Sequence, residues 1–83
     1  MSLSDKLRNL RINMGIGQLD VADELGVSRS CYSNYEQGRR EPTIDILKEI
    51  CIIYDITLDE LLDFDVKKER KNHKFRNKDF INR

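Results

Sequence analysis

Residues 28–37 read Ser-Arg-Ser-Cys-Tyr-Ser-Asn-Tyr-Glu-Gln. On a helical wheel at about 100° per residue, Arg29, Ser33, Gln37, Ser30 and Asn34 share an arc of about 140°. Cys31, Tyr35, Ser28 and Tyr32 fall on the opposite side, between about 200° and 300°, and Glu36 borders the two at about 340°. Every residue of the first arc is polar and none is acidic. A solvated helix face is ordinarily rich in Lys and Glu, so this composition is unusual. Its groups match the edges of bases in a major groove. Arginine pairs with guanine O6 and N7, Asn or Gln with adenine N6 and N7, and Ser with either. The aromatic side is suited to burial, with Tyr32 and Tyr35 as core and their hydroxyls at its edge.

Other helices must position that arc. Leu3, Leu7, Leu10 and Met14 form one amphipathic stripe, capped by Ser2 or Ser4 and ended by Gly15. Gly17 opens a second helix with Leu19, Ala22 and Leu25 inward, and Gly26 stops it. Ser28 caps the third, which Gly38 ends. Thr43 caps a fourth, with Asp45 favourably placed in its first turn. In this fourth segment Ile50-Cys51-Ile52-Ile53-Tyr54 has strand character, but the apolar pattern from Ile44 is too long for a typical strand and carries helical periodicity. One stripe is Ile44, Leu47, Cys51 and Tyr54; the other is Ile46, Ile50 and Ile53. Eight of the twelve residues 43–54 are apolar, so this helix must be covered on most sides. It is either a central core helix or one with a face against a second subunit. Thr57-Leu58-Asp59-Glu60 fits a capping box opening a fifth helix, with Leu58, Leu61 and Leu62 inward. The expected fold is all-α, with one domain over 1–63 and a basic extension over 64–83, in which Phe64 and Val66 are candidates to pack back on the domain.

Composition agrees with a small binding module. The 83 residues allow one domain. No run approaches the roughly 18 apolar residues of a membrane span, and the start does not resemble an export signal, so a cytoplasmic protein without a membrane partner is expected. Cys31 and Cys51 are too few for a disulfide framework and, with the single His73, make no metal-ligand cluster. Reduced thiols are expected, Cys51 in the core and Cys31 as a half-buried small hydrophobe or a redox switch at the groove. No nucleophile–base pair and no phosphate-cradling glycine loop is present, so neither an enzyme nor a cofactor is expected.

The net charge of zero hides an uneven layout. Residues 1–40 carry six Lys/Arg against five Asp/Glu, net +1; residues 41–66 carry one against eight, net −7; residues 67–83 carry eight against two, net +6. The acidic stretch should face away from a polyanion. The basic extension is an arm adding phosphate contacts, an extra dimer element, a tether, or a counter-charge for a neighbour's acidic face.

Two short helices joined at Gly26-Val27-Ser28 make a helix-turn-helix over about 18–37. Leu10-Arg11, Gln18-Leu19, Ala22, Leu25-Gly26-Val27-Ser28-Arg29-Ser30, Tyr35-Glu36, Gly38, Arg40, Pro42, Leu58 and Leu61-Leu62 together resemble the XRE family, the phage repressor and Cro-type helix-turn-helix regulators. The resemblance covers residues 5–63 without a gap. It implies a five-helix lambda-repressor-like fold and a partner in double-stranded DNA, with base-reading positions at Arg29, Ser30, Ser33 and Asn34. It implies phosphate contacts at Gln18 and in the loop holding Arg39 and Arg40, with Ser28 beside them, and a salt bridge between Arg11 and Glu36. A homodimer on a palindromic operator, acting as a repressor, is the implied function; Ile46, Ile50, Ile53 and Leu62 are the dimer-interface candidates. An autoregulating antitoxin whose extension holds a toxin, and an interaction module that has lost DNA binding, are the alternatives. The chain departs from the family at Gly17, where a Ser or Thr cap is usual; at Tyr32 and Tyr35, which replace smaller aliphatics; and at Asp55, in place of a glycine.

Overall fold

The computed structural model describes residues 1–64, which form five helices and no strand. They are α1 (Leu3–Met14), α2 (Gln18–Leu25), α3 (Arg29–Glu36), α4 (Ile44–Tyr54) and α5 (Leu58–Leu62). No helix among these residues is long and apolar enough to cross a membrane. The basic extension from residue 65 onward, Val66 included, lies outside the described residues.

Short helices need their ends satisfied, and side chains do this at four of the five N-termini. Ser2 Oγ accepts from Asp5 N (3.2 Å), Ser28 Oγ from Cys31 N (3.1 Å), Thr43 Oγ1 from Ile46 N (3.2 Å) and Thr57 Oγ1 from Glu60 N (3.1 Å). Thr57 and Glu60 complete a capping box, because Thr57 N donates back to Glu60 Oε1 at 3.1 Å. Those bonds hold the Glu60 carboxyl below its ordinary value. Gly17 has no side chain to cap α2, but its own N–H is held by Asp20 Oδ2 at 2.8 Å. At the helix-turn-helix corner Gly26 adopts φ 70°, which lets Val27 N reach back to Ala22 O at 3.0 Å. Asp55 and Asp63 take the same left-handed conformation, each at φ 52°, as C-caps of α4 and α5.

Leu7, Val21, Ala22, Leu25, Tyr32, Tyr35, Ile50, Tyr54 and Leu61 form one core. The Tyr32 and Tyr35 rings meet edge to face, with centroids 6.3 Å apart. α3 packs against both α1 and α2, while α4 closes on α2 and α5 closes on α1 and α4.

Several stripes read from periodicity are rotated in the structure. α2 turns Val21 inward and leaves Leu19 exposed; Met14, Leu58 and Leu62 are exposed as well. On α4 the buried line runs through Ile50 and Tyr54, flanked by half-buried Ile46, Leu47, Cys51 and Ile53. Ile50 is therefore not a dimer-interface residue: it is 0% exposed, enclosed by its own chain. Ile44 and Ile52, by contrast, are each 70% exposed. Ile52 stands about 200° around the helix from Ile50, on the side that no other described element reaches.

Candidate nucleic-acid interface

The geometry of α3 is set from beneath by a polar clamp. Glu36, at the inner end of α3, is 4% exposed. Arg11 on α1 grips it with two bonds, Nε to Oε2 at 2.7 Å and Nη2 to Oε1 at 3.0 Å, the fork-to-fork geometry that favours Arg over Lys. Arg11 Nη1 also donates to Ile16 O at 3.1 Å, tying down the α1–α2 corner. Gln18 Nε2, at the start of α2, donates to Glu36 Oε1 at 3.2 Å. One carboxylate thus fixes three helices relative to one another. Burial pushes the Glu36 carboxyl up, but Arg11, with Tyr32 and Gln18, outweighs it and holds the group below its ordinary value; the same bond raises Arg11. The Tyr32 hydroxyl acts from short of good hydrogen-bond geometry: it and the Tyr54 hydroxyl are buried without a hydrogen-bond partner. Burial pushes both phenols up, so they stay neutral.

Above this clamp the outer face of α3 is polar. Arg29 and Ser30 are exposed, and Ser33 and Asn34 half-exposed. Gln18, Arg29, Ser30 and Ser33 line one shallow concavity between the start of α2 and the outer side of α3. The structure thereby brings Gln18 together with residues 11 to 15 positions further along the sequence. Within α3, Gln37 Nε2 donates to Ser33 Oγ at 2.8 Å, which restricts both side chains. Ser28 Oγ lies 3.3 Å from Ser30 Oγ while capping the helix. Gln18 spends one amide hydrogen on Glu36, so its carbonyl oxygen and second amide hydrogen remain for a ligand.

Arg39 and Arg40 occupy the exposed loop after α3. Its turn is closed by Arg39 N donating to Asn34 O at 3.0 Å. Arg40 Nη1 approaches Cys31 Sγ at 3.8 Å, and Cys31 Sγ lies 3.4 Å from Tyr35 Oη. Cys31 is the chief cause that raises the Tyr35 phenol, and the contact leaves Arg40 beside α3. Sequence reasoning did not find it, although the i, i+4 spacing of Cys31 and Tyr35 is a local signal for the pair. The Gln18–Glu36 bond was missed as well, and no local pattern announces a contact across 18 residues.

A helix-turn-helix family model matches residues 7–61. The chain is 41% identical over 59 residues to the uncharacterized HTH-type transcriptional regulator YqaE of Bacillus subtilis, covering 71% of this chain and 51% of that protein. It is 36% identical over 61 residues to the cryptic phage CTXphi transcriptional repressor RstR of Vibrio cholerae, covering 74% and 54%. It thus spans about half the length of these curated relatives. Among solved structures, the P22 c2 repressor in complex with a synthetic operator superposes with a TM-score of 0.72 at 25% identity, covering 78% of this chain and 98% of that one. The buried Arg11–Glu36 pair, the glycine corner at 26 and this match agree: the chain belongs to the XRE family of phage repressor and Cro-type helix-turn-helix proteins.

Proposed function

We propose that this chain is a transcriptional regulator that binds duplex DNA sequence-specifically, with α3 in the major groove. The observation that carries the reading is the acid-free polar arc of α3, held outward by a buried carboxylate that clamps three helices. Arg29, Ser30, Ser33 and Asn34 read base edges. Gln18, Ser28, Arg39 and Arg40 flank them and hold backbone phosphates, which fixes register without carrying sequence information.

The protein acts as a homodimer on a two-fold operator, with half-sites about 34–36 Å apart, and represses by occupying a promoter. The phage repressors it resembles support this part. The exposed apolar residues Ile44, Ile52, Leu58, Leu62 and Phe64 on α4, α5 and the segment after α5 supply the aliphatic and aromatic side chains such an interface needs. Ile46 and Ile53 are half-buried against the core on the inner side of α4.

Selection of bound sites from random duplexes with purified protein tests the whole reading. The expected product is an inverted repeat with one helical turn between half-site centres. Recovery of no enriched sequence overturns the assignment; an unrepeated half-site overturns only the dimer.

A further inference from the structure

A second surface lies away from the reading arc and shares no residue with it. Met14, Ile16 and Ile53 form the apolar floor of a groove between the α1–α2 corner and the end of α4, and Asp20, Asp23 and Glu24 of α2 form its rim. Met14 is half exposed on this floor. Among the described residues none of the three rim carboxylates takes part in an ion pair. Asp20 alone has a fixed polar role, accepting from Gly17 N. An apolar floor under an acidic rim suits a basic segment with interspersed aromatic or aliphatic side chains, because cations can meet the rim while their neighbours cover the floor.

The chain carries such a segment. Residues 67–83 hold eight Lys/Arg against two Asp/Glu, with Phe75, Phe80 and Ile81 between them. Reach permits contact within one molecule. The described chain leaves α5 beside the start of α1, where the Met1 amino group lies 3.7 Å from Asp63 Oδ2. The groove is at the other end of α1, whose 12 residues span about 18 Å. Six or so extended residues cover that distance at about 3.3 Å each, so the sequence from Lys71 onward can lie along the groove.

We propose that the part of this basic segment from Lys71 onward docks in the α1–α2–α4 groove of its own chain, with Phe75 or Phe80 on the Met14–Ile16–Ile53 floor and lysines on the Asp23–Glu24 rim. Docking neutralises the acidic flank of α2, the helix whose N-terminus borders the reading arc. It does not depend on the DNA-binding assignment and is tested without DNA.

The test uses the full chain. Carbodiimide coupling joins carboxylates to lysines in contact, and peptide mass spectrometry on a mixture of isotopically light and heavy protein separates links within one chain from links between two. The expected links run from Asp20, Asp23 or Glu24 to Lys71, Lys74 or Lys78 within one chain. They should fade as salt rises from about 0.01 M to about 1 M, which shortens the screening length from about 30 Å to about 3 Å. In parallel, the Ile16 and Ile53 methyl resonances should show ring-current shifts that relax in F75L/F80L and in D23K/E24K. The latter pair is exposed and outside the core, so its fold is retained. Links only between light and heavy chains would overturn the proposal in favour of a second copy. Links spread equally over Asp45, Glu49 and Asp59, or methyl signals indifferent to both double variants, would overturn it as undirected attraction.

Discussion

The third and fourth helices are joined by one short loop and leave opposite kinds of surface outside. α3 exposes hydrogen-bonding groups without a carboxylate, and its inner side is fixed by rings and a clamped Glu36. α4 buries Ile50 and Tyr54 and leaves Ile44 and Ile52 in the open among the exposed charges of Asp45, Lys48 and Glu49. A polar face exchanges water for a hydrated partner at little cost in the free state, which suits a surface that must bind and release. Large aliphatic side chains such as Ile44 and Ile52 are costly to leave wet, which suits positions that stay covered. The contrast fits the proposed roles, transient recognition by α3 and lasting association through α4.

The contrast can be broken most directly on α4. Ile50→Ala should destabilise the fold by about 2–5 kcal/mol, the range for truncating a buried aliphatic side chain. Ile52→Ala, two positions on, should stay within about 0.5 kcal/mol of the parent in denaturant melts at high dilution. Equal losses in both would mean that Ile52 is also enclosed within a single chain, and α4 would be a core helix only.

The clamp beneath α3 comes next. Glu36→Ala leaves Arg11 without its partner and should cost about 3 kcal/mol, at the low end for a broken buried pair because Arg11 is partly exposed. The folded state holds the Glu36 carboxyl below 4.5, its ordinary value. Its contribution is therefore complete above that pH and is lost as pH falls through the lowered folded value. Melts of the parent should show an acid limb beginning below about pH 4.5, flatter in Glu36→Ala. An unchanged limb would show that Glu36 does not couple α3 to α1.

How much of this was legible follows from range. The caps depend on neighbours three residues away, and the sequence spells out Ser28, Thr43 and Thr57 while leaving Ser2 and Ser4 as equal choices for α1. The amphipathicity of α3 was equally readable, because one side is polar throughout. α4 was not, since a helix apolar almost all round gives periodicity no minimum from which to choose a buried line. Packing against α2 and α5 made that choice and put Ile50 rather than Ile44 inside. Leu19 and Leu58 misled for a related reason: in helices of 8 and 5 residues one extra leucine shifts the apparent stripe by a whole side chain. The bond from Gln18 to Glu36 is tertiary and left no local trace.

On α3 the expected effects are smaller and lie in binding. Arg29→Ala should weaken the preferred site by about 1–3 kcal/mol and relax preference at one base pair, as measured by binding to a panel of single-base variants. A uniform loss across the panel would move Arg29 from base edge to phosphate.

Arg40 supplies the finest division within the same surface. It stands in the loop beyond α3, near Cys31 rather than on the polar arc of α3. Arg40→Ala should therefore lower affinity for every sequence alike and leave the selected motif intact. Because one neutralised phosphate contributes about 0.9 to the dependence of log affinity on log salt, the slope should become shallower by about that amount. A changed motif at constant slope would place Arg40 in the groove with Arg29. The boundary between positioning and reading would then lie beyond Gly38, and the reading surface would extend past the helix into the loop.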